Sequence, residues 1–482
     1  MQGLFPFDNT YARDLEGLYV RWKPARVPTP GLVWFNRALA EELGLDVDAV
    51  QAQGAGIFSG DVVPDGASPI AQAYAGHQFG HLNPQLGDGR ALLLGEVVDR
   101  RGQRRDVAFK GSGPTPFSRG GDGKAALGPV LREVILGEAM HALGVPTTRA
   151  LAAATTGEVV RRDRPLQGAV LTRVAASHLR VGTFVFFAVR HDVEKLGRLL
   201  DYTLRRHDPG LLGQPDRALL FLDAALERQA SLIARWMHLG FIHGVMNTDN
   251  MALSGETIDY GPCAFMEGVD PDAVFSSIDH AGRYAWGNQP TIAAWNLTRL
   301  TEALLPLIDP DPDTAVARAT AVLETFPARY QRAWLALAGQ KLGISAPDEG
   351  DRELAEAWLS LLAAQSVDHT LGWRRLADAV AGDEAPLRAL FRSPAALDPW
   401  LGRWRARADL DAAAMRAVSP IYIPRNQRVE EALTAAEGGD LGPFERLLEV
   451  VTHPWEERAE LAAYAAPAPV EVTACYRTFC GT

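Results

Sequence analysis

An α+β fold of two unlike lobes, a β-rich one followed by a helical one, is what this sequence of 482 residues predicts, and three observations carry it. After Tyr74, two β-prone runs, Ala91 to Val98 and Asp106 to Lys110, are separated by a Gly-containing basic turn, the pattern of an antiparallel hairpin. From Asp192 to Gly240, and again from Thr291 to about Glu457, apolar residues recur at helical spacing; Leu354, Trp358, Leu361 and Leu362 fall at i, i+4, i+7 and i+8. Between the two helical blocks stands a polar, Gly-containing stretch, His243 to Gly261, HGVMNTDNMALSGETIDYG, around which the chain is organised.

Composition narrows the class. A hydrophobic content of 47% and a charged content of 22% match a globular chain with ample core. The length suits about three domains, or one large domain with additions. A formal net charge of −11 argues against a general affinity for nucleic acid or an anionic membrane, so an anionic ligand must meet locally clustered Arg and Lys. The N-terminus lacks a basic segment followed by an apolar one, and no apolar run reaches bilayer length, so a cytoplasmic location is expected. Cys263, Cys475 and Cys480 have neither metal-ligand spacing nor the makings of a disulfide framework.

Residues 1–70 read as a lead-in that packs on the core, with one helical pattern near Asn36 to Leu45. The informative text of the β-rich lobe, 71–190, begins with Gly87-Asp88-Gly89-Arg90, before the first strand, where glycines let backbone N–H groups approach a phosphate. A plain turn would read the same way. Lys110 ends the second strand. A Gly- and basic-rich loop then leads into a helix whose Leu131, Val134, Ile135, Ala139 and Ala142 share a face, ended by Gly144 and Pro146. Glu133 and Glu138 on this helix are both candidate partners for Lys110; Glu133 is preferred because Glu138 shares the apolar face. Arg173 and Arg180, seven apart in GAVLTRVAASHLR, could lie on one helical face or flank a strand and turn, and converge on a polyphosphate.

The second lobe, 191–300, holds the central stretch. A protein kinase writes its catalytic loop H-R-D-x-x-x-x-N and follows it with D-F-G; the first Asp takes the hydroxyl proton, and the Asn and last Asp hold metal. From His243, that template puts the Asn on Asn250 and D-F-G on Asp259-Tyr260-Gly261, but the catalytic Asp falls on Val245. A carboxylate appears instead at Asp249. The expectation is a protein-kinase-like bilobal fold whose base has moved. The Gly- and aromatic-rich text after Asp259 reads as a long ordered loop over the cleft. Residues 301–482 read as a helical extension with a cysteine-containing tail, Pro/Ala-rich and loosely ordered from Ala462.

These pieces together resemble the SelO (selenoprotein O) family, kinase-like proteins named pseudokinases that transfer AMP. The matching text includes YAGHQFG, QLGDGR, FKGSGPTPFSRGGDG, LREVILGEAMHALGVPTTRAL, HGVMNTDNMAL, IDYGP, DHAGRYAWGNQP and PRNQRVEEAL, and covers roughly residues 5 to 482. The resemblance implies adenylylation of Ser, Thr or Tyr hydroxyls on protein substrates, with ATP flipped relative to an ordinary kinase and Mg²⁺ or Mn²⁺ as the metal. It places ATP binding on Gly87, Gly89, Arg90, Lys110, Asp122, Gly123, Arg173 and Arg180, the proton acceptor on Asp249, and the metal ligands on Asn250 and Asp259. Some members carry a Cys or selenocysteine third from the end that forms a regulatory disulfide. Cys480 matches that position, the partner position holds Phe275, and Cys263 is the kinase-domain alternative. No nucleic-acid or membrane partner is expected, and a monomer is. Two rivals remain: a phosphoryl-transferring kinase, opposed by Val245, and a non-catalytic nucleotide-binding scaffold, opposed by the joint presence of Asp249, Asn250 and Asp259.

Overall fold

The computed structural model describes residues 3–407 and 411–479. Its organising element is an eight-stranded antiparallel sheet. The strands run in the spatial order Tyr19–Arg21, Ile70–Gln72, Ala91–Val98, Arg104–Lys110, Pro165–Ala175, Arg149–Arg161 and Gly31–Phe35, and Ala125–Ala126 pairs off this path with Pro165–Ala175. The expected hairpin is present, with Ala91 opposite Lys110 and Val98 opposite Arg104. The lead-in does more than pack on the core. It supplies the strands at both ends of the order, so each exposed edge is a short piece of N-terminal chain.

Alternation along Arg104–Lys110 decides what each face of the sheet does. Val107 and Phe109 join Leu39, Val50, Ile57 and Phe58 of the N-terminal segment in one apolar cluster. That leaves Asp106, Ala108 and Lys110 on the opposite face. Register adds Arg173 to this polar face, because it pairs with Ala108 on the neighbouring strand. The N-terminal helix is shorter than its pattern, Arg37–Glu42, with the Asn36 side chain accepting from Leu39 N as its cap.

Helix Leu127–Ala142 lies between the sheet and two C-terminal helices, Asn426–Glu437 and Gly442–Val451. Leu131, Val134 and Ile135 share a core with Ala153 and Leu171 of the sheet and with Val429, Phe444 and Leu447. The C-terminal extension therefore braces the sheet half as well as the helical half.

In the helical half, Arg217–Leu239 ends on Gly240, whose φ of +68° turns the chain. The next residues, Phe241–Ile242, pair antiparallel with Ala264–Phe265, so the stretch between them is a loop closed at its base. Asn426 of the PRNQRVEEAL motif pins that base, accepting from Phe265 N (3.3 Å) and donating to Phe265 O (2.9 Å). Among the described residues no helix is long and apolar enough to cross a membrane.

The C-terminal tail departs from expectation. It forms helices Ala462–Ala465 and Val470–Cys475 and then docks beside the loop, with Thr478 N donating to Phe275 O (2.8 Å), Ser277 N to Thr478 O (2.9 Å) and Thr478 Oγ1 to Pro262 O (2.7 Å). Its Pro/Ala content suggested a loose segment, but partners on a distant loop satisfy its backbone.

Candidate active site

The closed loop is held from three sides. His243, 1% exposed, has Nε2 at 2.9 Å from Ile258 O, tying the loop's first turn to the residue before Asp259. A carbonyl only accepts, so that nitrogen carries the proton, and burial lowers the imidazole pKa further toward the neutral form. Gln289 accepts from His243 N (3.0 Å) and donates to Phe241 O (2.9 Å), while Asn296 donates to Met246 O (2.9 Å). Tyr284 donates its hydroxyl to Asn247 Oδ1 (2.6 Å). Through Tyr284 and Gln289 the DHAGRYAWGNQP text thus braces the loop.

Lys110, Glu133, Arg173 and Asp259 meet in one cluster. Lys110 Nζ donates to both Glu133 Oε1 and Asp259 Oδ1, and Arg173 Nη1 reaches Asp259 Oδ1 at 2.7 Å. Glu138, the other helix candidate, is engaged elsewhere, by Arg149 (2.6 Å) and Ala150 N (3.1 Å). Burial alone would raise the Asp259 carboxyl, but Lys110, Arg173 and Arg180 outweigh it and hold the group well below the usual carboxylate range. Asp259 also sits at φ +66°, a left-handed backbone that is strained for a non-glycine residue. Of the two arginines, Arg173 is on a strand and Arg180 caps helix Val181–Ala188, so the strand-and-turn reading holds. Arg180 stacks over the Tyr74 ring at 4.3 Å and donates to Asp249 O at 3.2 Å.

Asp249 lies on a single helical turn, Thr248–Asn250, with its Oδ1 buried and without a hydrogen-bond partner. Burial pushes its carboxyl up to about 6. Gly76 makes room for it: a Cβ there would overlap both Asp249 Oδ1 and Leu86. Gly76→Ala should therefore displace the carboxylate and lower turnover by roughly 10²-fold, with a loss of about 1–3 kcal/mol of stability from crowding Leu86. Full activity in that variant would show that the position of Asp249 is immaterial. Asn250 engages its amide nitrogen with Val245 O (3.0 Å), so what it can offer a cation is its oxygen. Among the described residues no group of three or more His, Cys, Asp or Glu could hold a metal. One amide oxygen, one carboxylate and an orphaned carboxylate oxygen nearby fit a hard cation that keeps waters and phosphate oxygens as its other ligands.

Two cavities adjoin here. One of about 240 Å³ is lined by Gly87, Gly89, Phe117, Asp122 and Gly123, and one of about 460 Å³ by Lys110, Arg173, Arg180, Asn250 and Asp259. Asp249, Arg90 and Tyr74 line both. Asp122 is engaged by Arg162, at 2.8 and 3.0 Å. The cysteine reading fares differently: Cys480 lies outside the described residues. Cys263 is fully buried and burial pushes its thiol up to about 11, which leaves little thiolate for exchange. Phe275 packs on Tyr476 with ring centroids 5.9 Å apart, so tail and loop meet here through rings and backbone hydrogen bonds.

Sequence reasoning assigned no role to Tyr74, Gly76, Asp106, His178, Asn247 or Thr248. YAGHQFG was visible as a motif, and the structure supplies its reason: strand Gly76–Gln78 pairs antiparallel with His81–Asn83, and His77 N donates to Thr248 Oγ1 (2.7 Å) and Phe79 N to Asn247 Oδ1 (3.0 Å), fastening this short hairpin to the loop. Glu256, at the far end of the same loop, accepts from Ala176 N (2.9 Å), and burial pushes its carboxyl up to about 7. Its folded-state pKa lies above the ordinary 4.5, so its contribution to stability is full below that value and lost as pH rises through about 7. The melting temperature of Glu256→Gln should gain on that of the parent protein from about pH 5 to about pH 8. A pH-independent difference would contradict this.

A family model described as protein adenylyltransferase SelO matches residues 5–452. A protein nucleotidyltransferase YdiU of Cereibacter sphaeroides is 63% identical over 480 residues, covering 99% of this chain and 100% of that one. The protein of the same name from Chromobacterium violaceum is 62% identical over 475 residues (96% and 99% covered), and that from Rhizobium johnstonii 56% over 489 residues (99% and 97%).

Proposed function

The chain belongs to the protein adenylyltransferase SelO family and is a nucleotidyltransferase that moves AMP from ATP to protein; on that premise, we propose how its own residues perform the transfer. The observation that carries the proposal is the position of Asp249 at the junction of the two cavities. With the nucleoside among Gly87, Gly89, Asp122 and Gly123, and the β- and γ-phosphates among Lys110, Arg173 and Arg180, the phosphorus at the junction is the α one. This is the flipped orientation, and it makes pyrophosphate the leaving group. An acceptor Ser, Thr or Tyr hydroxyl entering at the junction meets Asp249 Oδ1, the unpartnered oxygen, which takes its proton. Val245 has no atom able to do so.

Lys110 and Arg173, now shared with Asp259, are the cations best placed to turn to phosphate oxygens and stabilise charge that moves onto pyrophosphate. That turn releases the Asp259 carboxylate, which with Asn250 would hold Mg²⁺ or Mn²⁺. A cation bound there supplies Lewis-acid stabilisation at the phosphates. The sheet and the first helical block then correspond to the two lobes of a protein-kinase-like fold, 71–190 and 191–300. The lead-in is 1–70 and the bracing extension 301–482, in a chain that acts as a monomer. The pairing of strand residue Lys110 with helix residue Glu133 supports this reading.

The test is a transfer assay with ATP labelled at the α- or the γ-phosphate, a divalent cation, a protein acceptor and an Asp259→Ala control. Label should arrive on protein from α-labelled ATP alone and disappear in the variant. Transfer of the γ label alone would make the protein a kinase. ATP binding without transfer of either label would make it a scaffold.

A further inference from the structure

We propose that His178 is a positioning residue for nucleotide binding: a neutral imidazole, oriented by Asp106, that aims Arg173 without neutralising it. The inference rests on the reading of Arg173 as a polyphosphate ligand. Arg173 Nε donates to His178 Nε2 at 3.2 Å, and a guanidinium nitrogen can only donate, so Nε2 presents its lone pair. The ring proton is therefore on Nδ1, 3.1 Å from Asp106 Oδ2, which also accepts from His178 N at 2.8 Å. Arg206 meets the other oxygen, Asp106 Oδ1, at 2.8 Å. All three members of the chain Asp106, His178 and Arg173 are at most 3% exposed. His178 acts on the second arginine as well, its carbonyl accepting from Arg180 Nε at 3.2 Å.

The choice of group matters chemically. A carboxylate in the place of His178 would hold Arg173 as firmly but would cancel its charge beside the phosphates. An imidazole accepts the hydrogen bond and adds no charge, while the negative charge it leans on, Asp106, is matched by Arg206 at its other oxygen. Burial agrees, pulling the imidazole down to about 4 and keeping it neutral near pH 7. The sheet makes the arrangement possible: Asp106 and Lys110 share a face of one strand, and Arg173 stands on the next strand opposite Ala108.

The experiment measures the dissociation constant of ATP by calorimetry on the full chain, with KM for ATP and for acceptor alongside. His178→Phe, which keeps the ring and removes both hydrogen bonds, should weaken ATP binding about tenfold and raise KM for ATP but not for acceptor. In an Arg173→Ala background the same change should have no further effect. Asp106→Asn leaves residues 173 and 178 unsubstituted but permits the tautomer whose Nε2–H faces Arg173 Nε–H, and it should also weaken ATP binding about tenfold. Additive effects of H178F and R173A, or wild-type affinity in folded H178F or in D106N, would overturn the inference while leaving AMP transfer intact. Unchanged affinity in R173A would overturn the role of Arg173 itself, and the inference with it.

Discussion

Asp249→Asn is expected to lower AMP transfer by about 10²–10⁴-fold, the usual worth of a general base, while ATP affinity stays within a small factor of the parent value. The substitution is nearly isosteric, and the Asp249 side chain makes no hydrogen bond whose loss would disturb the loop, since Oδ1 is unpartnered and the contact to Arg180 runs through the backbone carbonyl. What changes is basicity: an amide oxygen cannot take a proton from an incoming hydroxyl. The measurement is α-label transfer beside ATP titration. Parallel loss of transfer and of ATP affinity would mean that Asp249 supports the nucleotide site instead, and undiminished transfer would move the base elsewhere.

Lys110→Met is expected to reduce transfer by about 10²–10³-fold and to destabilise the protein by about 3 kcal/mol. The two losses have different origins. Lys110 stands between two carboxylates, Glu133 and Asp259, in a site where its own side chain is 9% exposed. Without it Glu133 is left with Arg173 at 4.0 Å, and that arginine, already 2.7 Å from Asp259, has to answer two carboxylates in a region of low dielectric. That part of the damage can be undone: Lys110→Met with Glu133→Gln should recover most of the melting temperature. Transfer should not return, because no cation replaces Lys110 at the leaving pyrophosphate. A double variant that recovers both would reduce Lys110 to a structural residue.

The parts of the site that lie close together in the chain are legible in the sequence. His243 to Asp259 lies in one loop, and a template of residue types at fixed spacing picks out its members because a short loop closed at its base by a two-residue strand pair leaves little freedom in where each side chain falls. The hairpin ending in Lys110 is legible for a similar reason, since alternation and a Gly turn specify register locally. Glu133 ranks above Glu138 on the apolar face of one helix alone. The tail misleads, because composition reports what a segment lacks internally and says nothing of partners on a loop far away in the chain, such as Phe275 for Thr478.

By itself, then, the sequence determined the family, a mixed helix-and-sheet architecture, and the loop on which Asp249, Asn250 and Asp259 stand. Tertiary structure alone decided which charges compensate which. Lys110 and Arg173 converge on Asp259 from 149 and 86 residues away, and Asp106 reaches His178 across 72. Those meetings follow from sheet register, which places side chains of separate strands on one face. Register is set by the pairing of whole strands and the burial of their opposite face, a property that no single stretch of chain contains.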